Sequence, residues 1–329
     1  MAAPLLEVRD LRVTFATPRG SVCAVDGMSL ALAPGEIMGL VGESGSGKSV
    51  TLRAMLRLLR ANARTSGQVL WGGRDVLALR EAQLRAIRGR EIAMIFQEPM
   101  SALNPVLTIG AQIDESLAAH TALDAAGRRK RAVELLDMVG IASPLERLQN
   151  HPHEFSGGMR QRAMIAIALA PGPRLLLADE PTTALDVTIQ DQILTLLKRL
   201  ARDLGMAMVL VTHDLGVVAE TCDRVSVMYA GRIAESGPAD ALFAHPRHAY
   251  THALLRSMPR GGPAREALRP IAGQPPRLDR PAPGCPFAPR CDFELARCSQ
   301  ERPPLIPAGP DRLAACFASD SLRAFEGAA

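Results

Sequence analysis

The stretch Gly42-Glu43-Ser44-Gly45-Ser46-Gly47-Lys48-Ser49 constrains this chain more than any other. It fits G-x-x-x-x-G-K-[ST], and its setting fits as well. The turn signal Pro34-Gly35 and an apolar, strand-like run from Glu36 to Val41 precede it, and a helical stretch from about Lys48 to Leu59 follows. Glycines let the backbone curl until successive N–H groups converge on a phosphate. The start of the helix adds partial positive charge. Lys48 can then reach the outer phosphates, Ser49 can ligate Mg²⁺, and Val50 closes the candidate nucleotide-contacting run Gly42–Val50. An accidental match, expected in about one such chain in a hundred from average residue usage, would lack the strand–loop–helix setting. Alone, the pattern means a P-loop for nucleotide phosphates and no more.

A second strand, Leu175 to Ala178, ends in Asp179-Glu180. In a P-loop fold such a strand lies beside the one feeding the loop, so Asp179 can hold Mg²⁺ through its water shell and Glu180 can polarise the attacking water. Elsewhere Leu6 to Phe15 and Val22 to Leu32 read as strands. Ile92 to Phe96 and Ala207 to Thr212 do so too, and a helix is predicted over Ile189–Leu204. Strands alternating with helices imply an α/β P-loop core with a largely parallel sheet. Helical spacing through Ile113–Leu123 and Ala132–Val139 predicts an inserted helical subdomain over about residues 98–170. Near Pro259 the composition turns Pro- and Gly-rich, which divides the chain into residues 1–258 and a small, loop-rich module over 259–329.

Net charge is +4, with no Lys/Arg tract interleaved with aromatics, so nucleic acid is not an expected partner. The N-terminus has no basic segment followed by an apolar one, and no apolar run of about 18 residues occurs, so neither a signal peptide nor a membrane span is expected. Aromatics make up only 3% of the chain, which makes each one informative.

Phe155-Ser156-Gly157-Gly158-Met159-Arg160-Gln161-Arg162 resembles the signature motif of the ABC ATPases, with Phe155 where Leu is commonest. Ser156 can cap the following helix, and Gly157 and Gly158 leave N–H groups bare for an anion. The motif stands 23 residues before Asp179, in the family's order. Gln97 matches the Q-loop glutamine, Ala184-Leu185-Asp186 the D-loop, and His213 the H-loop histidine that contacts the γ-phosphate. Phe15 stands where the family stacks an aromatic on adenine, although a strand Phe is as often core. The resemblance covers about residues 4 to 320. It is most similar to the ATP-binding subunits of oligopeptide and dipeptide importers, through Gln97-Glu98-Pro99-Met100-Ser101-Ala102-Leu103-Asn104-Pro105, His151-Pro152-His153-Glu154 ahead of the signature, and Ala178-Asp179-Glu180-Pro181-Thr182-Thr183-Ala184-Leu185-Asp186. Met159 resembles the first of the two paralogous ATPases such importers use.

The resemblance implies an ATPase that energises import of di- and oligopeptides, with nickel and glutathione importers as alternatives within the family. It implies ATP bound between Gly42–Ser49 of one chain and Ser156–Gly158 of a second ATPase subunit, identical or paralogous. Mg²⁺ would be held through Ser49, Gln97 and Asp179. Glu180 would activate water, His213 and Gln97 would sense the γ-phosphate, and Asp186 would link the two sites. The implied partners are two membrane permease subunits, contacted around Gln97–Pro105, and an extracytoplasmic solute-binding protein. The implied location is the cytoplasmic face of the bacterial inner membrane, as a peripheral subunit. Repair or translation ATPases of the same superfamily carry a coiled-coil insertion or two cassettes, and neither is seen here.

Six cysteines occur, and Cys285, Cys291, Cys298 and Cys316 cluster at the end with spacing C-x5-C-x6-C-x17-C. A cytosolic cluster argues for metal over disulfides, but the C-x2-4-C pairs usual for zinc are missing. Iron–sulfur, zinc and plain or disulfide-bonded thiols all remain open on spacing alone. The resemblance implies a [4Fe–4S] cluster. A loop-rich tail is expected to need such a staple. Cys23 and Cys222 fall inside strand and helix patterns and are expected in the core.

Overall fold

A computed structural model describes residues 3–18, 20–97, 102–183, 185–257, 270–279, 283–320 and 322. Ala184 of the expected D-loop, Glu98 to Ser101 of the expected permease contact, and the expected boundary near Pro259 lie outside the described residues. In chain order the strands are β1 (Leu6–Thr17), β2 (Gly20–Leu32), β3 (Ile37–Val41), β4 (Ala63–Trp71), β5 (Arg74–Asp75), β6 (Ile92–Ile95), β7 (Leu175–Asp179), β8 (Ala207–Val211), β9 (Arg224–Tyr229), β10 (Arg232–Pro238), β11 (Ile306–Gly309) and β12 (Arg312–Ala314). The helices are α1 (Lys48–Met55), α2 (Glu81–Ile87), α3 (Ile109–His120), α4 (Ala125–Met138), α5 (Pro144–Arg147), α6 (Gly157–Leu169), α7 (Val187–Asp203), α8 (Leu215–Thr221), α9 (Ala239–Ala244) and α10 (Ala249–Arg256).

Two compact units result. The first comprises Met1–Leu32, Met38–Leu77 and Thr212–Ala329. It contains an antiparallel sheet of order β2-β1-β4-β5 and a second row of strands, β11-β12-β10-β9-β3. In that row β3 and β9 run parallel, whereas β9, β10, β12 and β11 pair antiparallel in turn. All five residues of β3 are buried, as a strand covered on both faces requires. The α1 helix stops at Met55, short of the expected Leu59. The Arg57 N–H bonds back to Ala54 and the Leu58 N–H to Arg53, and Arg57 takes φ 51°. This is a left-handed helix stop made without glycine, so the apolar spacing through Leu58 and Leu59 misleads.

The tail is better anchored than its composition implies. β12 adds to the sheet edge, pairing Glu235 with Ala314 and Ser236 with Leu313. Phe287 is fully enclosed, edge-on to Tyr229 and Tyr250, with ring centroids 5.3 Å from each. These are the only two tyrosines in the sequence. The tail therefore shares an aromatic core with the unit it joins, which corrects the expectation of a tail without one.

The second unit comprises Ala33–Ile37 and Ala78–Val211. Its strands run β8-β7-β6, all parallel, with β7 and β8 buried throughout, so the strand ending in Asp179 pairs with β6 and β8 and not, as expected, with the strand that feeds the phosphate loop. Its helices include the expected insert. Thr108 caps α3 by accepting from the Ala111 N–H, and Asp124 caps α4 by accepting from Gly127. The long α7 carries a one-sided apolar stripe of Ile193, Leu194, Leu196, Leu197, Leu200 and Ala201, and Asp186 caps its start. Among the described residues no helix is long and apolar enough to cross a membrane.

Candidate nucleotide site

The loop between β3 and α1 is shaped by two glycines. Gly42 has φ 147°, and a Cβ there would lie 2.1 Å from the Met228 carbonyl oxygen. Gly47 has φ 104° and would place a Cβ 2.4 Å from the Ala24 carbonyl oxygen. No side chain fits either position. The curl they permit turns Gly42 and Glu43 carbonyls inward, and the Lys48 ammonium donates to them at 2.7 and 2.9 Å. Lys48 is buried, and Ser49 and Val50 follow on the first turn of α1. Ser44 and Gly45 stay exposed at the loop tip. Ser46 is buried beneath them, and the loop thus presents a cation inside a ring of backbone.

Glu43 is held on three sides. Its N–H donates to the Tyr250 hydroxyl at 2.8 Å, its carbonyl accepts from Lys48, and its carboxylate takes both arms of Arg290 at 2.7 and 2.9 Å. Burial raises the Tyr250 hydroxyl far above its ordinary value, so it stays protonated. The bond to Glu43 likewise holds Arg290 firmly charged. Sequence reasoning missed Tyr229, Tyr250 and Arg290. The scarcity of aromatics was the available signal, because both tyrosines stand at this loop.

Phe15 is half-buried on β1, opposite Val22 and Ala63, and not in the core. His213 follows β8 and is exposed, and the next residue, Asp214, caps α8 by accepting from the Gly216 and Val217 N–H groups.

In the second unit, Asp179 ends β7, fully buried. Glu180 leaves the strand with φ 46°. Its carboxylate accepts from Gln97 Nε2 at 3.0 Å and from Thr183 Oγ1 at 3.0 Å. Gln97, expected to sense the γ-phosphate, and Glu180, expected to activate water, are thus in contact across 83 positions of sequence. Thr183 is a partner that sequence reasoning quoted without giving it a role. Ser156 caps α6 by accepting from the Met159 N–H, leaving Ser156 and Gly157 exposed. A Cβ on Gly157 would meet Leu185 at 3.3 Å and one on Gly158 would meet Ile189 at 3.0 Å. The signature end of α6 therefore packs on the start of α7 beside exposed Asp186. Phe155 is 2% exposed, a core position where Phe and Leu serve alike.

Ser49, Gln97 and Asp179 offer a hydroxyl, a carboxamide and a carboxylate, all hard oxygen donors of the kind Mg²⁺ takes. The four tail cysteines are free thiols. The Phe293 N–H points to the Cys291 sulfur and the Leu295 N–H to the Cys298 sulfur, each at 3.4 Å. Burial, followed by neighbouring thiols, raises Cys285, and burial pushes Cys291 up to about 12. Among the described residues, however, no three His, Cys, Asp or Glu side chains are grouped to hold a metal ion. The four cysteines expected to hold a [4Fe–4S] cluster are not grouped in that way among the described residues. Cys222 is buried as expected, but Cys23 is only half-buried, its β2 position lying beside the Leu278 carbonyl.

A glycine-cradled lysine, a strand-end acid pair and a capped Ser-Gly-Gly helix define an ABC-type ATPase cassette. The ABC transporter family profile matches residues 25–183, and that of the oligopeptide/dipeptide transporter C-terminal region matches 234–298. The chain is 52% identical to a putative peptide import ATP-binding protein of Brucella abortus, over 92% of this chain and 91% of that one. It is 50% identical to the oligopeptide transport ATP-binding protein OppD of Salmonella typhimurium, over 95% of this chain and 93% of that one. A dimeric ATP-binding cassette solved in a post-hydrolysis state with ADP and Pi superposes with a TM-score of 0.64 at 30% identity, covering 71% of this chain and 98% of that one. The chain belongs to the ATP-binding subunits of ABC transporters and shares the oligopeptide/dipeptide C-terminal region.

Proposed function

We propose that this chain hydrolyses ATP to energise import of di- or oligopeptides. The observation that carries the reading is that one chain joins a full ATPase motif set to the oligopeptide/dipeptide C-terminal region. In this reading Lys48 and the N–H groups of Gly42–Val50 bind the phosphates, and Phe15 stacks on the base. Ser49, Gln97 and Asp179 would hold Mg²⁺, which would supply charge neutralisation at the phosphates. Glu180, oriented by Gln97 and Thr183, takes a proton from the attacking water, and His213 contacts the γ-phosphate. Ser156–Gly158, with Ser156 and Gly157 exposed, face the phosphates of a second ATPase subunit, paralogous or identical, and exposed Asp186 links the two sites, so that closure and opening of the pair drive transport.

Residues 1–258 act as the cassette and 259–329 as the tail, at the cytoplasmic face of the inner membrane. Two permease subunits and an extracytoplasmic solute-binding protein complete the assembly. The permeases contact the segment around Gln97–Pro105, a reading supported by the hold of Gln112 on Asn104 and by the 77% exposure of the adjoining Val106. For the tail, a [4Fe–4S] cluster on Cys285, Cys291, Cys298 and Cys316 is supported by the four thiols and their N–H···S contacts. It predicts brown, iron- and sulfide-containing protein on anaerobic purification, and stoichiometric zinc in colourless protein refutes it. The transport reading is tested in proteoliposomes holding the chain with its permeases, partner ATPase and binding protein. Peptides should stimulate ATP hydrolysis, and stimulation by nickel or glutathione alone would redirect it.

A further inference from the structure

Pro286 and Pro289 help fold Cys285 to Cys291 into a tight turn, with the Ala288 N–H on the Cys285 carbonyl and a short 3-10 helix at Ala288–Arg290. The turn is pinned at its base, where the Cys285 N–H donates to the Cys298 carbonyl at 2.7 Å. Phe287 anchors it in the aromatic core with Tyr229 and Tyr250. The turn projects Arg290, whose side chain is 5% exposed, onto the phosphate loop. Three of its nitrogens are committed. Nη1 serves Glu43 Oε2 at 2.7 Å and the Tyr229 hydroxyl at 3.1 Å, Nη2 serves Glu43 Oε1 at 2.9 Å, and Nε serves the Ala272 carbonyl at 2.8 Å.

This is the two-pronged geometry that arginine alone provides, held where water competes poorly. Glu43 directly follows the first loop glycine, and its carbonyl is one of the two to which the Lys48 ammonium donates. Moving Glu43 therefore moves an acceptor that aims Lys48. Tyr250 holds the N–H of the same residue, so α10 fixes the backbone of Glu43 while the tail fixes its carboxylate.

We propose that Arg290 is a positioning residue for the phosphate loop, acting through Glu43 to hold Lys48 in its nucleotide-binding place. The C-terminal region is then a part of the nucleotide site. This rests on the reading of Gly42–Ser49 as the phosphate loop.

The test is a double-mutant cycle on the full-length chain, with Kd for Mg·ATP from a fluorescent analogue and steady-state ATPase in the assembled complex. Arg290→Ala is expected to raise Kd and KM for ATP about tenfold with kcat within about threefold, as loss of about one charge-assisted contact's worth of preorganisation. Glu43→Ala should do the same. The double variant should be no worse than either single one, because one path carries both effects. Arg290→Lys, a point charge without the fork, should recover only part of the loss. Unchanged Kd in Arg290→Ala, or fold-changes that multiply in the double variant, overturns the proposal. Should Arg290→Ala not fold, Glu43→Gln, which keeps the side-chain shape, gives the same readout, and unchanged Kd in it is equally fatal. Wild-type protein that binds no ATP, or binding that survives Lys48→Ala unaltered, would refute the phosphate-loop reading itself.

Discussion

Replacing Glu180 by glutamine isolates one negative charge. The carboxylate leaves β7 on a residue with φ 46° and accepts from both Gln97 and Thr183 at 3.0 Å. Holding a non-glycine residue in that left-handed conformation costs about 1–2 kcal/mol, so the surroundings must enforce it, as they do at sites where placement matters. Glutamine keeps the length and an oxygen able to accept both bonds. Making two charge-assisted bonds neutral weakens each by roughly 1 kcal/mol, small beside the effect on chemistry. Loss of a general base lowers turnover by about 10²–10⁴, or about 3–5 kcal/mol of barrier. Phosphate release measures the turnover, and a fluorescent nucleotide the binding. Binding of Mg·ATP should stay within about threefold, since a base acts in the transition state and not on bound substrate. Turnover within about tenfold of wild type refutes the role of Glu180. Equal loss of binding and turnover makes it a structural residue instead.

Three further outcomes follow from the same geometry. Phe287→Ala removes an enclosed ring from the cluster with Tyr229 and Tyr250 and should cost about 3–5 kcal/mol, read as a lower denaturant midpoint; a change under about 1 kcal/mol would contradict the shared aromatic core. Burial lowers His248 from 6.5 to about 4. The unfolded chain therefore takes the proton first, and stability, intact above about pH 6.5, should fall by about 3 kcal/mol as the pH drops toward 4. Denaturant melts across that window should steepen in wild type and flatten in His248→Asn, which keeps an acceptor for the Tyr250 N–H. Cys291, pushed up to about 12, should react with iodoacetamide at pH 7.5 at least about a hundredfold more slowly than in the unfolded chain once any bound metal is stripped, as mass spectrometry would show. Equal rates would mean that the fold does not raise this half-buried thiol.

Sequence alone was sufficient for the ATPase family of this protein because the signals that carry it are local. A phosphate loop needs glycines at fixed offsets, since a Cβ at Gly42 or Gly47 would strike a backbone carbonyl about 2 Å away. A helix cap needs Ser156 or Asp186 directly before its helix. Fully buried parallel strands read as apolar runs, as β3, β7 and β8 do. These signals lie within about ten residues, and the order Gln97, Ser156, Asp179, His213 needs no structure to be seen. The end of α1 escaped because its stop uses Arg57 where glycine is the usual mark.

Tertiary structure decided what lies far apart in the chain. Glu43 and Arg290 are 247 positions apart and Glu43 and Tyr250 are 207 apart. No periodicity or spacing connects them, because such contacts depend on how β9, α10 and the tail pack, and packing is specified by shape and volume more than by residue order. The same holds for the tail itself. Its Pro-rich composition reads as a loose appendage, yet one enclosed phenylalanine and one two-strand edge bind it to the cassette. From sequence the phosphate loop was a self-contained element, and the fold makes it a loop steadied from the far end of the chain.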